Sequence, residues 1–258
     1  MGRLTGKVAL VTGSASGFGE AIVHGFAEQG AHVLIADIAV EKGKGVQAAI
    51  ANKQYPDGGT AHFVELNVTS KQSWKDALEF AKTTFGKLDI VVNNAGTTYR
   101  KQDSMGVSEA DFDKIVAVNI KSIYWSVAVV MPYFVERKQG VYVNTSSVAG
   151  VRVRPGQVFY GGTKGFLNTV TQGLAAEYGP HGIRVNSICP VRGATGLFEM
   201  FSGVEDTPEE RARLAQSVPL RRMVEPKDIA AAAIYLASDE AAFVSGVNFP
   251  VDGGRLAV

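Results

Sequence analysis

The stretch VALVTGSASGFG at residues 8–19 decides the fold that this sequence predicts. Its first residues form a β-branched, apolar run typical of a buried strand, and the residues after Gly17 continue with helical periodicity. Glycines between a strand and a helix let the backbone turn tightly, and the N-terminus of the following helix favours negative charge. The stretch therefore indicates a turn that could hold a phosphate group, although an ordinary glycine-rich turn would have the same pattern.

The alternation of strand and helix continues along the rest of the chain. Seven runs have the composition of strands: residues 8–11, 33–36, 61–66, 88–92, 141–144, 183–188 and 247–251. Segments of helical periodicity lie between several of them: residues 17–29, 40–51, 70–84, 110–136 and about 157–178. Near-continuous apolar strands joined by helices are typical of a parallel sheet covered on both faces. The sequence thus predicts an α/β, doubly wound fold with a parallel sheet of about seven strands.

No linker, repeat or low-complexity tract divides the chain, so residues 1–258 are interpreted as one domain. The regular alternation lapses at about residues 190–220, where glycines and prolines accumulate. Long irregular segments in compact domains are usually lids or binding loops, or are disordered. Because this segment follows a strand, we expect a substrate lid at the carboxyl edge of the sheet. The apolar residues 197–201 would suit an apolar or cyclic substrate, or would form a helix packed on its own domain.

Composition argues against several classes of function. The chain has 26 Lys and Arg against 25 Asp and Glu, a formal net charge of +1, so we expect no nucleic-acid partner. The longest uncharged apolar stretch, residues 123–134, is too short to span a bilayer and contains Pro132, so we expect no membrane association. Cys189 is the one cysteine and no apolar signal segment precedes the first strand, which indicates a reducing, cytoplasmic location.

Two further kinds of site are disfavoured by spacing. The four histidines are scattered along the chain and show no metal-ligand spacing, so no metal site is expected. A serine hydrolase on an α/β sheet would need a Gly-x-Ser-x-Gly elbow, which this sequence lacks. A small buried role is the expectation for Cys189.

Asp37 ends the second predicted strand, 20 residues after Gly17. A carboxylate at this place can accept hydrogen bonds from the ribose hydroxyls of a dinucleotide. The alternative interpretation is a turn residue or a helix cap. The spacing from the glycine turn favours the ribose role.

Tyr160 and Lys164 lie four residues apart in a helical segment, so their side chains share one face. A phenol with an unperturbed pKa of about 10 needs help to exchange a proton near neutrality, and a fixed ammonium group nearby favours the phenolate. Ser147 follows another predicted strand and could hydrogen-bond a substrate oxygen. The three residues are candidates for proton transfer.

Taken in order, these motifs resemble the core set of the short-chain dehydrogenase/reductase superfamily. The set consists of a TGxxxGxG turn, Asn93-Asn94-Ala95-Gly96 after the fourth strand, Asn119, Ser147, Tyr160 and Lys164. The resemblance covers nearly the whole chain, from residue 7 to residue 254. It implies a Rossmann-type fold, a small-molecule substrate, and hydride transfer between a nicotinamide cofactor and a secondary alcohol or ketone. It also implies a homotetramer with two-fold axes, which the helices at residues 110–136 and 157–178 would build.

The resemblance implies a role for each catalytic position. Tyr160 would be the general acid/base, and Lys164 would hold the nicotinamide ribose and lower the pKa of Tyr160. Ser147 would position the reacting oxygen, and Asn119 would hold a water molecule that links Lys164 to bulk solvent.

The resemblance also implies a set of cofactor-binding positions. They are Gly13, Ser16, Gly17, Phe18, Gly19, Asp37, Asn67, Val68, Asn94, Ala95, Gly96, Tyr160, Lys164, Pro190, Val191 and Thr195. Three places depart from the family's pattern: Asn67 stands for the usual Asp, Val191 for the usual Gly, and Ser245-Gly246-Val247 for the usual Thr-Gly-Gln.

Cofactor choice depends on the residues around Asp37. Members of the family that use NADP usually offer a basic side chain in the turn or just after the second strand. Here the turn holds Ala15 and Ser16, and residues 38–40 are Ile, Ala and Val. No cation would offset the repulsion between Asp37 and a 2′-phosphate. We therefore expect NAD(H).

Other functions stay open at this point. The chain could be a catalytically silent nucleotide-binding sensor or scaffold, or an enzyme that uses transient hydride transfer for dehydration or isomerisation. The complete set of four catalytic positions favours net oxidation and reduction. Arg152, Arg154 and Arg192 could reach a substrate carboxylate or phosphate, or could be solvated charges or subunit contacts.

Overall fold

The computed structural model describes residues 2–53, 55, 58–193 and 196–258. Strands and helices alternate along them. The elements are β1 (Val8–Thr12), α1 (Gly17–Glu28), β2 (His32–Asp37), α2 (Val40–Lys53), β3 (Thr60–Glu65), α3 (Lys71–Phe85), β4 (Ile90–Asn93), α4 (Glu109–Val116), α5 (Ser122–Arg137), β5 (Gly140–Thr145), α6 (Val158–Tyr178), β6 (Ile183–Pro190), α7 (Phe198–Ser202), α8 (Pro208–Ala215), α9 (Pro226–Ala237) and β7 (Asn248–Val251).

The seven strands form one parallel sheet in the order β3-β2-β1-β4-β5-β6-β7. The chain builds outward from β1 in one direction as far as β3, and then returns to add β4 on the other side of β1. In open α/β sheets the crevice at such a reversal, beyond the carboxyl ends of the strands, is where ligands bind. The predicted α/β, doubly wound fold with seven strands is confirmed.

Both faces of the sheet are buried, which explains the near-continuous apolar strands. In β1, Ala9 and Val11 belong to one hydrophobic cluster, and Val8 and Leu10 belong to the cluster on the opposite face. Because successive strand side chains point to opposite faces, each face receives every second residue. Helices α1, α2 and α9 cover the first face, and α3 and α5 cover the second.

Helix α9 is absent from the sequence-based assignment. It packs on α1, and Gly25 of α1 makes room for it, because a Cβ there would lie 3.1 Å from Ile234 Cδ1. Glu225 and Asp228 form a reciprocal capping box at its start, which satisfies backbone N–H groups that the helix leaves free.

Residues Glu109–Arg137 form one long helical segment in which α4 and α5 are joined by a π-helical turn, Ala117–Lys121. Pro132 lies inside α5 and does not end it. By length and composition alone this segment is long and apolar enough to cross a membrane, whereas residues 123–134 by themselves are too short. In the fold, Val130 and Phe134 are completely buried in the hydrophobic cluster on one face of the sheet, as in a core helix.

Candidate active site

A cleft of about 830 Å³ lies at the carboxyl edge of the sheet. The glycine turn after β1 and Asp37 at the end of β2 line one end, and Ser147 and Tyr160 line another part of the same cleft. The catalytic and cofactor-binding residues predicted above line this cleft, with three exceptions. Gly19 and Asn119 contact residues that line it, and Thr195 falls outside the described residues. The fold thus gathers residues that are far apart in the sequence.

The turn between β1 and α1 requires its glycines. Gly13 and Gly17 have φ values of +64° and +61°, in the left-handed region that favours glycine. A Cβ on Gly19 would lie 2.3 Å from the carbonyl oxygen of Gly13 and 2.6 Å from Asn94 Nδ2. The turn is therefore held too tightly for any larger side chain at residue 19.

Asn94 supports the turn from β4. Its Nδ2 donates to the carbonyl oxygens of Thr12, at 3.0 Å, and Gly13, at 3.1 Å. The backbone N–H groups of Asn94 and Ala95 both donate to Thr12 Oγ1 at 3.0 Å. Asn94 thus acts by shaping the turn, a role for its side chain that the sequence did not specify.

The N-terminus of α1 faces this turn. Ser16 occupies the N-cap position and its side chain makes no capping hydrogen bond. The first N–H groups of a helix lack partners within the helix, and the helix dipole favours negative charge there. These groups fit the pyrophosphate of a dinucleotide.

Asp37 is fixed at the end of β2 by two backbone groups. Its Oδ2 accepts from Ala15 N–H and its Oδ1 accepts from Ala39 N–H, both at 2.9 Å. The local turn to Ala39 matches the alternative interpretation, whereas the bond to Ala15 ties the carboxylate to the glycine turn. An ionised carboxylate has about four lone-pair positions, so each oxygen keeps capacity for a ribose hydroxyl.

Asn67 and Val68 line the cleft next to Asp37. Asn67 Oδ1 accepts from the backbone N–H and the hydroxyl of Thr69, at 3.0 and 2.8 Å. Val68 is buried and its carbonyl oxygen accepts from Trp74 Nε1 at 3.1 Å. The oxygen of Asn67 is therefore committed to the local turn, while its amide group is the part that remains for a ligand.

Tyr160 projects from α6 into the cleft and is 7% exposed. Phe201 of α7 packs edge-on against it, with 4.9 Å between ring centroids. Burial raises the pKa of the phenol above its usual value, and a hydrogen bond with Ser147 lowers it by less. The direction is opposite to the lowering expected from Lys164, because burial disfavours the phenolate.

Lys164 lies one turn further along α6 and is also buried. Its Nζ donates to the carbonyl oxygen of Thr145 at 2.7 Å and lies 5.8 Å from the centroid of the Tyr160 ring. Burial lowers the pKa of Lys164 to about 8. The amine is thus held beside Tyr160 by the end of β5.

Ser147 follows β5 and begins a short 3₁₀ turn, Val148–Gly150. Its hydroxyl accepts from Ala149 N–H at 3.1 Å and donates to the carbonyl oxygen of Pro190 at 3.4 Å. These contacts connect the ends of β5 and β6 next to Tyr160, whose hydroxyl forms a hydrogen bond with Ser147.

Asn119 lies in the π-helical turn and is buried. Its Oδ1 accepts from Thr97 N–H at 2.9 Å, and its Nδ2 donates to Thr97 O at 2.9 Å and Thr163 Oγ1 at 3.1 Å. Both amide hydrogens of the side chain are therefore used within the protein. The side chain clamps the loop after β4 to α6, and the expected water contact stays a prediction.

The segment after β6 forms another wall of the cleft. Val191 continues the pairing with the last strand, since its N–H donates to Val251 O at 3.3 Å. Gly193 packs on Phe18, and a Cβ there would lie 2.6 Å from Phe18 Cζ. Gly193 was not predicted to be part of the site. Its position two residues after Val191 is the one sequence signal that could have suggested it.

No group of three or more His, Cys, Asp or Glu side chains suited to a metal ion is found among residues 2–53, 55, 58–193 and 196–258. Cys189 is buried at the end of β6, and burial raises the pKa of its thiol. Its Sγ lies 3.6 Å from Asn168 Oδ1.

An open parallel sheet with a glycine turn, a carboxylate at the end of the second strand and a buried Tyr–Lys pair is typical of dinucleotide-binding α/β proteins with a proton-transfer site. A family model described as enoyl-(acyl carrier protein) reductase matches residues 13–255. The 4-formylbenzenesulfonate dehydrogenase of Comamonas testosteroni is 42% identical over 253 residues, 98% of this chain and 99% of its own. The 2,5-dichloro-2,5-cyclohexadiene-1,4-diol dehydrogenase of Sphingobium indicum is 36% identical, with 98% and 97% covered.

A solved structure also indicates the family of this chain. The 3-ketoacyl-(acyl-carrier-protein) reductase from Brucella melitensis, complexed with NADH, superposes with a TM-score of 0.88 and 37% identity, and 98% of this chain and 99% of that chain are covered. This chain belongs to the short-chain dehydrogenase/reductase superfamily and is an oxidoreductase. The family expected from the sequence motifs is confirmed.

Proposed function

We propose that this protein transfers a hydride between NAD(H) and a secondary alcohol or ketone. The observation that carries the proposal is the meeting of Ser147, Tyr160 and Lys164 with the glycine turn and Asp37 in one cleft. The nicotinamide ring of the cofactor supplies or accepts the hydride when bound. The residues of this chain hold the cofactor, orient the substrate oxygen and move its proton.

The proton-transfer step follows from the positions of three side chains. In reduction, the hydroxyl of Tyr160 gives its proton to the substrate oxygen, and in oxidation the phenolate takes it back. Ser147 holds the same oxygen by a hydrogen bond. Lys164, as an ammonium group, stabilises the phenolate and binds the hydroxyls of the nicotinamide ribose.

The raised pKa of Tyr160 has a consequence for direction. Burial keeps the phenol in its protonated form, which is the form that donates a proton in reduction, and makes the phenolate harder to reach. Oxidation needs the phenolate, which burial disfavours and a positive charge on Lys164 favours. The protonation state of Lys164 therefore affects both directions.

The substrate proposal rests on the cleft and on the relatives. One relative is named for an aromatic aldehyde and another for a cyclohexadiene diol. The apolar side chains of Val148, Leu197 and Phe201 line the cleft beside Tyr160 and suit a ring. We therefore propose a ring-bearing alcohol or carbonyl compound.

The choice of NAD(H) rests on Asp37. It is the one acidic side chain that lines the cleft within the described part of the chain. The 2′-phosphate of NADP would bring like charges close together in a partly desolvated groove. The NADH complex of the Brucella melitensis reductase agrees with this choice.

Steady-state rates with both cofactors on one accepted substrate test the cofactor proposal. We expect NAD(H) to be preferred by at least about tenfold in kcat/KM, which corresponds to roughly 1.4 kcal/mol. Asp37→Asn, which removes the charge and keeps the size, should reduce that preference, whereas Asp113→Asn on the exposed face of α4 should not. Equal efficiency with the two cofactors, or a preference for NADP(H), would refute the role of Asp37.

A cytoplasmic location and a homotetrameric assembly complete the proposal. The location is supported by the single cysteine of the chain, which is free and buried. The assembly is supported by the family resemblance and by exposed apolar side chains on α4, α5 and α6.

A further inference from the structure

The substrate end of the cleft is strongly basic. Besides Lys164, six basic side chains line the cleft: Lys101, Lys114, Arg152, Arg154, Arg192 and Arg213. Asp37, the one acidic lining side chain among the described residues, lies at the glycine turn. The whole chain carries a formal net charge of only +1, so this concentration of positive charge is local.

Arg192 lies close to the proton-transfer residues. It follows β6 by two residues, and its Nη2 donates to the carbonyl oxygen of Phe201 at 3.2 Å. The ring of Phe201 is the one that packs on Tyr160, with 4.9 Å between centroids. A group bound by Arg192 would therefore belong to a molecule whose reacting oxygen is at Tyr160.

Two more arginines converge on Arg192 from different segments. Arg154 lies in the loop after Ser147, and Arg213 lies on α8. Burial and the charges of Arg154 and Arg213 lower the pKa of Arg192, and burial together with Arg255 and Arg152 lowers the pKa of Arg154. Guanidinium groups stay charged at neutral pH, so the fold holds like charges close together, with Arg192 half-buried and Arg154 and Arg213 exposed.

Acidic partners balance only part of this cluster. Arg213 forms an ion pair with Glu210 at 2.6 Å, and Arg152 donates to an oxygen of Val258, the last residue of the sequence. No ion pair with a carboxylate is found for Arg154 or Arg192 among the described residues. Like charges held close together repel each other, and such arrangements are common where a ligand of opposite charge binds.

The cofactor does not account for these charges. Its pyrophosphate fits the glycine turn and the N-terminus of α1, which lie on the side of the cleft where Asp37 is fixed. The arginines lie instead with Phe201 and the loop after Ser147. The anion that they fit is part of the other reactant.

We infer that Arg192 and Arg154 bind a carboxylate or sulfonate group of the substrate. The substrate class is then an anionic, ring-bearing ketone or secondary alcohol, and this inference rests on the proposed function. A guanidinium group offers paired N–H donors that match the two oxygens of a carboxylate. One N–H of Arg192 is used by Phe201, which leaves donors for the ligand and links anion binding to the position of α7.

A pair of ketones that differ in one charge tests the inference. With NADH as cofactor, 4-acetylbenzoate should be reduced with a kcat/KM at least about tenfold higher than its neutral methyl ester, mainly through a lower KM. Arg192→Gln and Arg154→Gln should each lower kcat/KM for 4-acetylbenzoate by much more than kcat/KM for the ester, so that most of this preference is lost. Arg100→Gln, an exposed arginine outside the cleft, is the control and should change neither rate. Equal use of the two ketones by the unchanged protein would overturn the inference.

A binding measurement separates this inference from the proposed function. Benzenesulfonate should bind the NADH complex in calorimetry, at least about tenfold more weakly after Arg192→Gln. Absence of binding to the unchanged protein would overturn the inference even if ketones are reduced. Binding without reduction of any ketone would instead contradict the proposed function alone.

Thermal unfolding distinguishes anion binding from a purely structural role of Arg192. If Arg192 is an anion-binding residue, the neighbouring arginines repel it while no ligand is bound. Arg192→Gln then relieves this repulsion and raises the melting temperature measured without any anionic ligand. If Arg192 only fastens α7 through Phe201, the same variant lowers the melting temperature and reduces the rates with both ketones equally, which would overturn the inference.

Discussion

At the scale of single residues, the proposed chemistry depends on two buried groups whose pKa values shift in opposite directions. Burial raises the pKa of Tyr160 and lowers the pKa of Lys164 to about 8. Both shifts favour the neutral forms, because low-dielectric surroundings penalise charge. A tyrosine that is to form a phenolate therefore needs Lys164 charged, and in the proposed function the same charge binds the cofactor ribose.

This gives a prediction for the pH dependence of cofactor binding. Lys164 holds its proton below about pH 8 and loses it above, so its charged form becomes scarce as the pH rises. If the ammonium group binds the ribose, the Kd for NADH should increase by about tenfold between pH 7 and pH 9. Fluorescence titration of NADH across this range measures it. Lys164→Arg should lose the inflection, and a Kd that does not change between pH 7 and pH 9 would contradict the role.

Lys164 also contributes to the pH dependence of stability. Its pKa in the folded protein lies below the ordinary value of 10.5. Between about pH 8 and 10.5 the unfolded chain binds more protons at this position than the folded one does, so this contribution to stability increases as the pH rises. Near neutral pH, the buried Lys164 therefore lowers the free energy of unfolding.

At the scale of elements, the glycine turn can be tested with a matched pair of substitutions. Gly19→Ala places a Cβ 2.3 Å from Gly13 O, so we expect the turn to open, the protein to be destabilised and NADH to bind at least about tenfold more weakly. Gly45→Ala on the exposed side of α2 meets no atom within 4 Å and should raise the free energy of unfolding by up to about 1 kcal/mol. Chemical denaturation and NADH titration check both. Unchanged NADH affinity in Gly19→Ala would contradict the assignment of the turn.

The sequence predicted the sheet well because its strands are buried on both faces. All seven predicted strands form, with ends that differ by no more than a few residues, since runs such as residues 8–11 have few other stable placements. Helix α9 was missed because residues 230–233 are four alanines, whose pattern carries no amphipathic contrast. The box formed by Glu225 and Asp228 was the available signal.

Part of the site could be predicted from the sequence, and the rest depends on contacts that exist only in the folded protein. Motif spacing could place Tyr160, Lys164 and Ser147 near one another because the carboxyl ends of parallel strands share an edge. It could not show that the side chains of Asn119 and Asn94 are used up in holding backbone groups, because their partners lie far away in the sequence. Burial, which raises the pKa of Tyr160, is likewise a property of the folded molecule.

At the scale of the whole molecule, apolar side chains lie on the outer faces of the long helices. Tyr124 of α5, Phe112 of α4 and Phe166 of α6 are all exposed, and Trp125 Nε1 is buried without a hydrogen-bond partner. Exposed apolar surface of this kind marks an interaction site, and symmetric contact with further copies of the chain would cover it. This is the physical support for the proposed tetramer.

Light scattering tests the assembly directly. We expect a mass four times that of the chain at micromolar concentration. Phe166→Glu should give a smaller species, because a charge would have to be buried in the contact. Met105→Glu, at a fully exposed position outside these helices, serves as the control and should leave the mass unchanged. A monomer at micromolar concentration would contradict the proposal.

The central claim is that one phenol moves the proton while the rest of the cleft holds the cofactor, and Tyr160→Phe tests it. With an accepted ketone and NADH, kcat should fall by about 10²- to 10⁴-fold, because only the hydroxyl that transfers the proton is lost. The Kd for NADH, titrated on the same protein, should stay within about twofold of its original value. Tyr235→Phe on α9, outside the cleft, should change neither quantity. A Tyr160→Phe protein that keeps most of its turnover would contradict the account.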